Sequence, residues 1–288
     1  MSFTSQIKRL AAFGPFLATL LFAPAALAQQ PTEWGLYFQE AASPVMRDIT
    51  SFHDLLLVII TVITIFVAGL LLYVMVRFNR RANPEASTTS HNTLIEVIWT
   101  VAPILILVVI AIPSFRLLYL EDVIPEDIDL TIKATGNQWY WSYEYPDHGN
   151  FSFDSIMKED DELEEGEPRL LAVDNRIVVP VNKKVRVLVT ASDVIHNFAM
   201  PAFGVKMDGV PGRMNETWFL AEKEGTYYGQ CSELCGIRHA FMPIQIDVVS
   251  EEEFAQWIEW AKTEYADASS APITLAASPV SGGAQDIQ

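Results

Sequence analysis

Cys231-Ser-Glu-Leu-Cys235-Gly-Ile-Arg-His239-Ala-Phe-Met242 gathers two thiols, an imidazole and a thioether within twelve positions. Thiolate and thioether sulfur select copper over hard cations, and imidazole suits copper equally well. A further imidazole is available upstream at His196, in a β-rich segment before a turn. A mononuclear blue-copper centre needs one Cys, two His and a weak axial ligand, so this chain offers one Cys too many. With two Cys, two His, one Met and a nearby main-chain carbonyl, the donors divide evenly between two metal ions if both thiolates bridge. Such a pair shares one electron with little change of geometry, which suits one-electron transfer rather than bond-making.

Plainer readings compete with this one. Two cysteines in an exported domain commonly form a disulfide, but a disulfide leaves His239 and Met242 unexplained. Two Cys and two His also suit a tetrahedral zinc site, which has no use for Met242. His196 by itself reads as an ordinary hydrogen-bonded histidine.

Working outward toward the N-terminus, the apolar residues are concentrated in the first 118 of 288 positions. The stretch Leu10 to Ala28 follows Lys8-Arg9 and ends Ala26-Leu-Ala28-Gln29, which reads as a signal peptide with an A-x-A cleavage site, an extra membrane helix being the other reading. Uncharged runs at Leu55 to Val76 and Val97 to Phe115 each have the length of a membrane span. Arg77, Arg80 and Arg81 between them place the connecting loop in the cytoplasm and both ends of the hairpin on the other side. Pro103 and Pro113 are expected to bend the second span.

From Glu121 onward acidic residues outnumber basic ones 30 to 12, so the exported portion carries essentially all of the net charge of −17. That sign excludes nucleic acid as a partner and implies a basic one. The run Lys158 to Glu167 reads as a solvated insertion between strands, with a minor part in long-range steering. Segments patterned as strands are Leu130 to Tyr145, Arg176 to Val181, Val185 to Thr190, Thr217 to Ala221, Thr226 to Gln230 and Pro243 to Val249. Separated by turns such as Asp208-Gly and Pro211-Gly, they predict a β-sandwich. Glu251 to Tyr265 reads as an amphipathic helix, and the Ala-, Ser-, Pro- and Gly-rich tail after it as disordered. In Trp139-Tyr-Trp-Ser-Tyr-Glu-Tyr145, alternation sends Trp139, Trp141, Tyr143 and Tyr145 to one face, whose usual fate is burial.

Gly229-Gln-Cys-Ser-Glu-Leu-Cys-Gly-Ile-Arg-His-Ala-Phe-Met-Pro243, Asp193-Val-Ile-His196, the run Gln138 to Pro146 and the two spans together resemble the CuA-containing subunit II of bacterial aa3-type cytochrome c oxidases. The likeness covers about residues 45 to 260. It implies a two-helix transmembrane hairpin followed by an all-β cupredoxin-like Greek-key sandwich. The boundaries are 1–28 signal peptide, 29–50 periplasmic N-terminal segment, 51–120 hairpin, 121–262 CuA domain and 263–288 disordered tail. The family's ligands to binuclear copper fall on His196, Cys231, Cys235, His239, Met242 and the carbonyl of Glu233. The Glu233 carboxylate is implied to help hold a Mg2+ or Mn2+ ion shared with the partner subunit, in keeping with a hard oxygen donor. Trp139 matches the surface residue through which electrons come in. Glu144, Asp154, Asp174 and Asp193 match the acidic docking patch, and Glu96 the mouth of a proton channel. The implied partners are the haem-bearing subunit 1, subunit 3, a reduced c-type cytochrome and membrane lipid, in a bacterial inner membrane with the C-terminal domain periplasmic. The implied activity is that of a proton-translocating, oxygen-reducing oxidase whose oxygen chemistry lies in a partner subunit. Asn137 stands where the family commonly has His, and Asn197-Phe198 where it has Ser-Trp; neither position supplies copper.

Readings from other classes remain. A periplasmic copper-delivery protein also uses Cys-x3-Cys with a distant His, but calls for a thioredoxin-like βαβ pattern. A quinol oxidase subunit keeps this architecture without the cysteines, and nitrous oxide reductase shares the motif in a much longer chain.

Overall fold

The computed structural model describes residues 30–265; the expected signal peptide and the tail beyond Tyr265 lie outside them. Helices α1 (Pro44–Arg77) and α2 (Thr93–Asp122) form the hairpin. Ser43 caps α1 by accepting the Met46 N–H at 3.0 Å, and Pro44 sits at the first turn, where its missing N–H costs nothing. The helix therefore starts before residue 50, where the sequence placed the end of an N-terminal segment. Asn92 caps α2 in the same way, through the Ile95 N–H at 3.3 Å. The 34 and 30 residues of these helices exceed the roughly 20 needed to cross a hydrocarbon core. Their apolar side chains point outward, so the surface the hairpin presents is apolar, as a membrane requires.

Ten strands follow: β1 (Leu130–Asn137), β2 (Tyr140–Tyr145), β3 (Phe151–Ser155), β4 (Ile177–Pro180), β5 (Lys184–Ala191), β6 (His196–Met200), β7 (Val205–Gly209), β8 (Asn215–Leu220), β9 (Gly225–Cys231) and β10 (Pro243–Val249). One sheet has the order β3-β2-β1-β5-β8 and the other β4-β10-β9-β6-β7, with β1/β5 and β4/β10 parallel. The chain crosses between the sheets repeatedly, which gives the expected sandwich of interleaved strands. Period-two burial builds it: in β5 Val185, Val187, Val189 and Ala191 point inward while Lys184 and Arg186 do not.

Three strand expectations change. Leu130 to Tyr145 is two strands, folded back so that Asn137 faces Tyr140, with Gln138 and Trp139 as the connection. Trp141, Tyr143 and Tyr145 keep the buried face, whereas Trp139 leaves it for the hairpin tip and is half-buried. The short strands β3, β6 and β7 were not expected from the sequence. Asp208-Gly209, expected in a turn, closes β7. Helix α3 (Glu251–Glu264) begins with a reciprocal Ser250/Glu253 capping box and buries Phe254, Ile258 and Ala261. It runs past residue 262, and Tyr265 after it stacks on Phe153 with centroids 4.7 Å apart.

The hairpin is fixed to the sandwich. Ala42 donates to the Ala202 carbonyl at 2.9 Å and accepts from Glu222 N–H at 3.0 Å, while Ser43 Oγ donates to the Phe203 carbonyl at 2.7 Å. Gly204, at φ +73°, packs against the start of α1, where a Cβ would lie 3.2 Å from the Met46 nitrogen, so the left-handed backbone favours glycine and the space is tight. At the other helix, Trp218 Nε1 donates to the Leu120 carbonyl at 3.2 Å.

Candidate metal centre

The three ends of β6, β9 and β10 converge at one pole of the sandwich. His196 is the first residue of β6, Cys231 the last of β9, and Met242 directly precedes β10; all three are buried. Cys231 N–H donates to the Met242 carbonyl at 3.3 Å, holding the entering and leaving strands together. The connection between them carries Glu233, Cys235 and His239.

Every donor singled out in the sequence arrives here. Cys231 Sγ lies 3.9 Å from Cys235 Sγ, 3.9 Å from His196 Nδ1 and 3.4 Å from the Glu233 carbonyl oxygen. Cys235 Sγ lies 3.6 Å from His239 Nδ1 and 3.6 Å from Met242 Sδ. The candidate ligand atoms of His196, Cys231 and Cys235 fall within 4.8 Å of one another. Both cysteines are free thiols rather than a disulfide. Two sulfurs at the centre, each with its own imidazole, plus a thioether and a carbonyl, form a donor set that fits copper.

The electrostatics prepare one thiolate. Burial opposes ionisation of Cys231, but its hydrogen bond with His196 and nearby backbone groups outweigh burial and hold the thiol below its ordinary range. Burial and the adjacent Cys231 sulfur push the Cys235 thiol up. Metal binding must therefore displace the Cys235 proton, a step coupled to pH. Burial lowers the basicity of His196, yet Cys231 and Asp193 more than compensate and raise it.

Asp193, matched to the docking patch by resemblance, has a second employment. Its Oδ1 lies 2.9 Å from His196 Nε2 and accepts the Val194 N–H at 2.6 Å, and its Oδ2 accepts the Gln138 N–H at 2.7 Å. Burial works to raise its carboxyl, but these hydrogen bonds prevail and lower it. A carboxylate behind a ligating imidazole fixes the tautomer and the ring plane. The other matched acids differ among themselves: Glu144 is paired with Lys133 at 3.0 Å, Asp154 accepts from Ser142 Oγ at 2.6 Å, and Asp174 accepts the Ile156 N–H at 2.7 Å. Asp154 and Asp174 are exposed.

Trp139 reaches the centre directly. Its Nε1 donates to the Cys235 carbonyl at 3.2 Å, and Gln138 Nε2 donates to the same oxygen at 2.7 Å. Gly236, at φ +121°, makes room for this: a Cβ would come within 3.0 Å of Trp139 Cζ2 and 3.2 Å of Gln138 Nε2. Sequence reasoning missed Gln138 and Gly236 as parts of the site, although Gly directly after the second Cys was a signal for close approach.

Glu233 also lines a cleft of about 760 Å3, together with Asn197, Lys206, Asp208 and Arg213. Asn197 is buried, and its Nδ2 donates to Asp208 Oδ1 at 2.7 Å while its Oδ1 has no hydrogen-bond partner among the described residues. Asn137 bonds Ser142 and Ser192, a local role consistent with its not being a ligand. Glu96 is not part of this assembly: it lies in the first turn of α2, about 39 Å along the helix from its sandwich end at 1.5 Å per residue.

Comparison with known proteins points one way. A family model described as the periplasmic domain of cytochrome c oxidase subunit II matches residues 130–249, and one described as its transmembrane domain matches residues 31–117. A probable cytochrome c oxidase subunit 2 of Rickettsia bellii is 57% identical over 242 residues, covering 84% of this chain and 90% of that protein. Cytochrome c oxidase subunit 2 of Zea mays is 47% identical over 238 residues, covering 81% and 92%. The crystal structure of the periplasmic domain of subunit II from Bradyrhizobium japonicum is 64% identical, with a TM-score of 0.47, and covers 50% of this chain and 99% of that one.

Proposed function

This chain belongs to the cytochrome c oxidase subunit II family, and from that premise we propose that its six donors hold a thiolate-bridged copper pair that takes single electrons from a reduced c-type cytochrome. The observation that carries the reading is the position of Cys231 and Cys235, 3.9 Å apart with one imidazole beside each sulfur. Bound there, the copper pair supplies one-electron chemistry at nearly constant geometry. The chain's own residues do the rest. Strand ends fix three donors, Asp193 orients His196, and burial excludes water from the sulfurs.

Trp139 is the residue through which electrons come in. Its indole is partly exposed at the hairpin tip and bonded to the carbonyl of a ligand residue. Leu234 and Ile237 on the neighbouring loop are exposed apolar residues, with Asp154, Asp174 and the acidic insertion available as a charged rim. An apolar centre with an acidic rim suits a basic redox partner that must dock and leave quickly. Electrons then pass to haem in subunit 1, with subunit 3 completing the core and the sandwich on the periplasmic side of a bacterial inner membrane, in contact with lipid. Glu233 lines the polar cleft together with Asp208, and its hard carboxylate oxygen suits a Mg2+ or Mn2+ ion shared with that partner. Glu96 stands at the opposite end of the hairpin, where the proton channel of a translocating enzyme would open. The signal peptide completes the export route.

The test is metal content per chain and the electron paramagnetic resonance spectrum of the purified oxidase. Two coppers sharing one unpaired electron, beyond any copper of the haem-bearing subunit, is the expected result; one copper, zinc, or a metal-free disulfide at this site overturns the reading. Trp139→Ala should slow reduction by cytochrome c without loss of copper, and unchanged kinetics would count against its role. Reaction with a basic cytochrome should slow as ionic strength rises. Glu233→Gln should keep copper, because the carbonyl remains, while losing bound Mn2+. The copper-delivery alternative is disfavoured by the fold, since the sulfurs sit in a β-sandwich rather than a thioredoxin-like unit.

A further inference from the structure

His196 and Met242 stand at strand ends of one sheet, but the groups that press on them belong to the other. Trp141 in β2 is fully buried and donates its indole N–H to the Met242 carbonyl at 3.3 Å. That carbonyl also accepts the Cys231 N–H at 3.3 Å, so one oxygen ties the indole to the backbones of two ligand residues. The same indole meets the His196 ring with centroids 6.1 Å apart and planes at 62°, and meets Phe198 at 5.7 Å and 87°. Edge contacts of this kind are directional as well as space-filling.

The cross-strand partner of Trp141 on β1 is Gly136. A Cβ at Gly136 would lie 2.7 Å from Cγ and 2.8 Å from Cδ2 of His196. Real side chains do not approach so closely, so the bare backbone at Gly136 is a slot into which the imidazole fits. Trp141 forms the wall beside it.

We propose that the cross-strand pair Gly136 and Trp141 is a positioning device for the copper site, fixing the ring plane of His196 and the backbone that presents Met242. The proposal rests on the ligand set given above. Neither residue touches the metal. Their effect is on how two of the six donors meet it: a turned imidazole or a displaced thioether changes the strength of its bond to copper, and the reduction potential follows. Because the device lies in the opposite sheet, any sliding of one sheet over the other is felt at the donors.

The experiment uses the purified oxidase carrying the full chain. Trp141→Phe keeps an aromatic ring in the core and deletes only the N–H and part of the edge. The expected result is copper per chain equal to wild type, with a changed hyperfine pattern in the electron paramagnetic resonance spectrum and a shifted midpoint potential of the copper. A role in packing alone would lower the melting temperature and leave the spectrum and potential unmoved, and that result overturns the proposal. Gly136→Ala is the second variant and decides the matter if Trp141→Phe does not assemble. Its Cβ must displace His196, so an altered spectrum is expected and a wild-type spectrum overturns the proposal. If the wild-type oxidase itself shows no shared-electron copper signal, the ligand reading fails instead, so the two failures are told apart.

Discussion

Three of the six proposed donors stand where strands end, and three hang on the connection between them. His196, Cys231 and Met242 are held by ladders of backbone hydrogen bonds in β6, β9 and β10 and are almost wholly buried. Glu233 and His239 are exposed or partly so, and Cys235 owes its burial to what covers it. The loop has no strand of its own. It is held by the hairpin tip of the other sheet, through Gln138 and Trp139 on the Cys235 carbonyl, and by the left-handed turn at Gly236. Strand ends provide rigidity that survives without metal, whereas the loop half relies on a few polar contacts to be ready when metal arrives.

That contrast can be broken most severely at its centre. Cys235→Ser removes the sulfur that neighbours His239 and Met242, and the expected outcome is loss of most bound copper, read by metal analysis of the purified complex. If the strand-held half alone retained a full complement, the division of donors would be wrong. Gly236→Ala comes next. The backbone there is one that side chains rarely adopt, which costs about 1–3 kcal/mol, and the added carbon comes within 3.0 Å of Trp139, which must give way. A lower melting temperature, reduced copper occupancy and slower reduction by cytochrome c are expected together. The same substitution at a surface glycine in the insertion, Gly166→Ala, meets nothing within 4 Å and should show only the conformational part.

A gentler probe is Gln138→Ala. It deletes one of two hydrogen bonds to the Cys235 carbonyl while Trp139 keeps the other, so a loss of about tenfold in copper affinity is expected, at the lower end for groups behind a ligand. Competition with a chelator measures it, and an unchanged affinity would mean that Trp139 alone secures the loop.

The smallest effect concerns the acidic insertion. Burial tends to raise the Glu167 carboxyl, but the hydrogen bond from Lys158, with further help from the Glu164 N–H and Arg176, holds it below the ordinary 4.5. A depressed carboxyl stabilises the fold above its unfolded value and loses that contribution as pH falls through its folded value. Hydrogen exchange at residues 158–167 should therefore quicken as pH drops from about 5 toward 3 once the intrinsic rate is divided out.

The candidate donors were legible because metal chemistry restricts both residue type and spacing, and Met242 in particular has no use in a disulfide or a zinc site. The spans were legible because uncharged runs of that length seldom occur except where a chain crosses a bilayer. The fold between Leu130 and Tyr145 was not, because Asn137-Gln138-Trp139 lacks the Gly or Pro that usually marks a turn, so an uninterrupted alternation concealed the point where the chain doubles back. Strands β3, β6 and β7 each carry residues that favour turns, Asp154, Asn197 and Asp208-Gly209, which masked their strand character. Contacts that join distant segments, such as Trp141 on Met242 or Asp193 on Gln138, leave no trace in local spacing. The insertion read as solvated is mostly exposed, and it is also pinned at its neck by Lys158 to Glu167 at 2.8 Å and reaches the cysteine loop through Glu159 and Arg238 at 3.5 Å.

The seam where Ala42 and Ser43 bond to the turn after β6, with Gly204 pressed against α1 and Trp218 tied to the end of α2, acts as a ruler. It sets how high the sulfurs stand above the membrane surface and at what tilt. Electron tunnelling weakens steeply with separation, so a sandwich free to swing on its stalk would deliver electrons in bursts as it drifted near and far. Seated on this seam, it keeps the last stretch of the journey at one length.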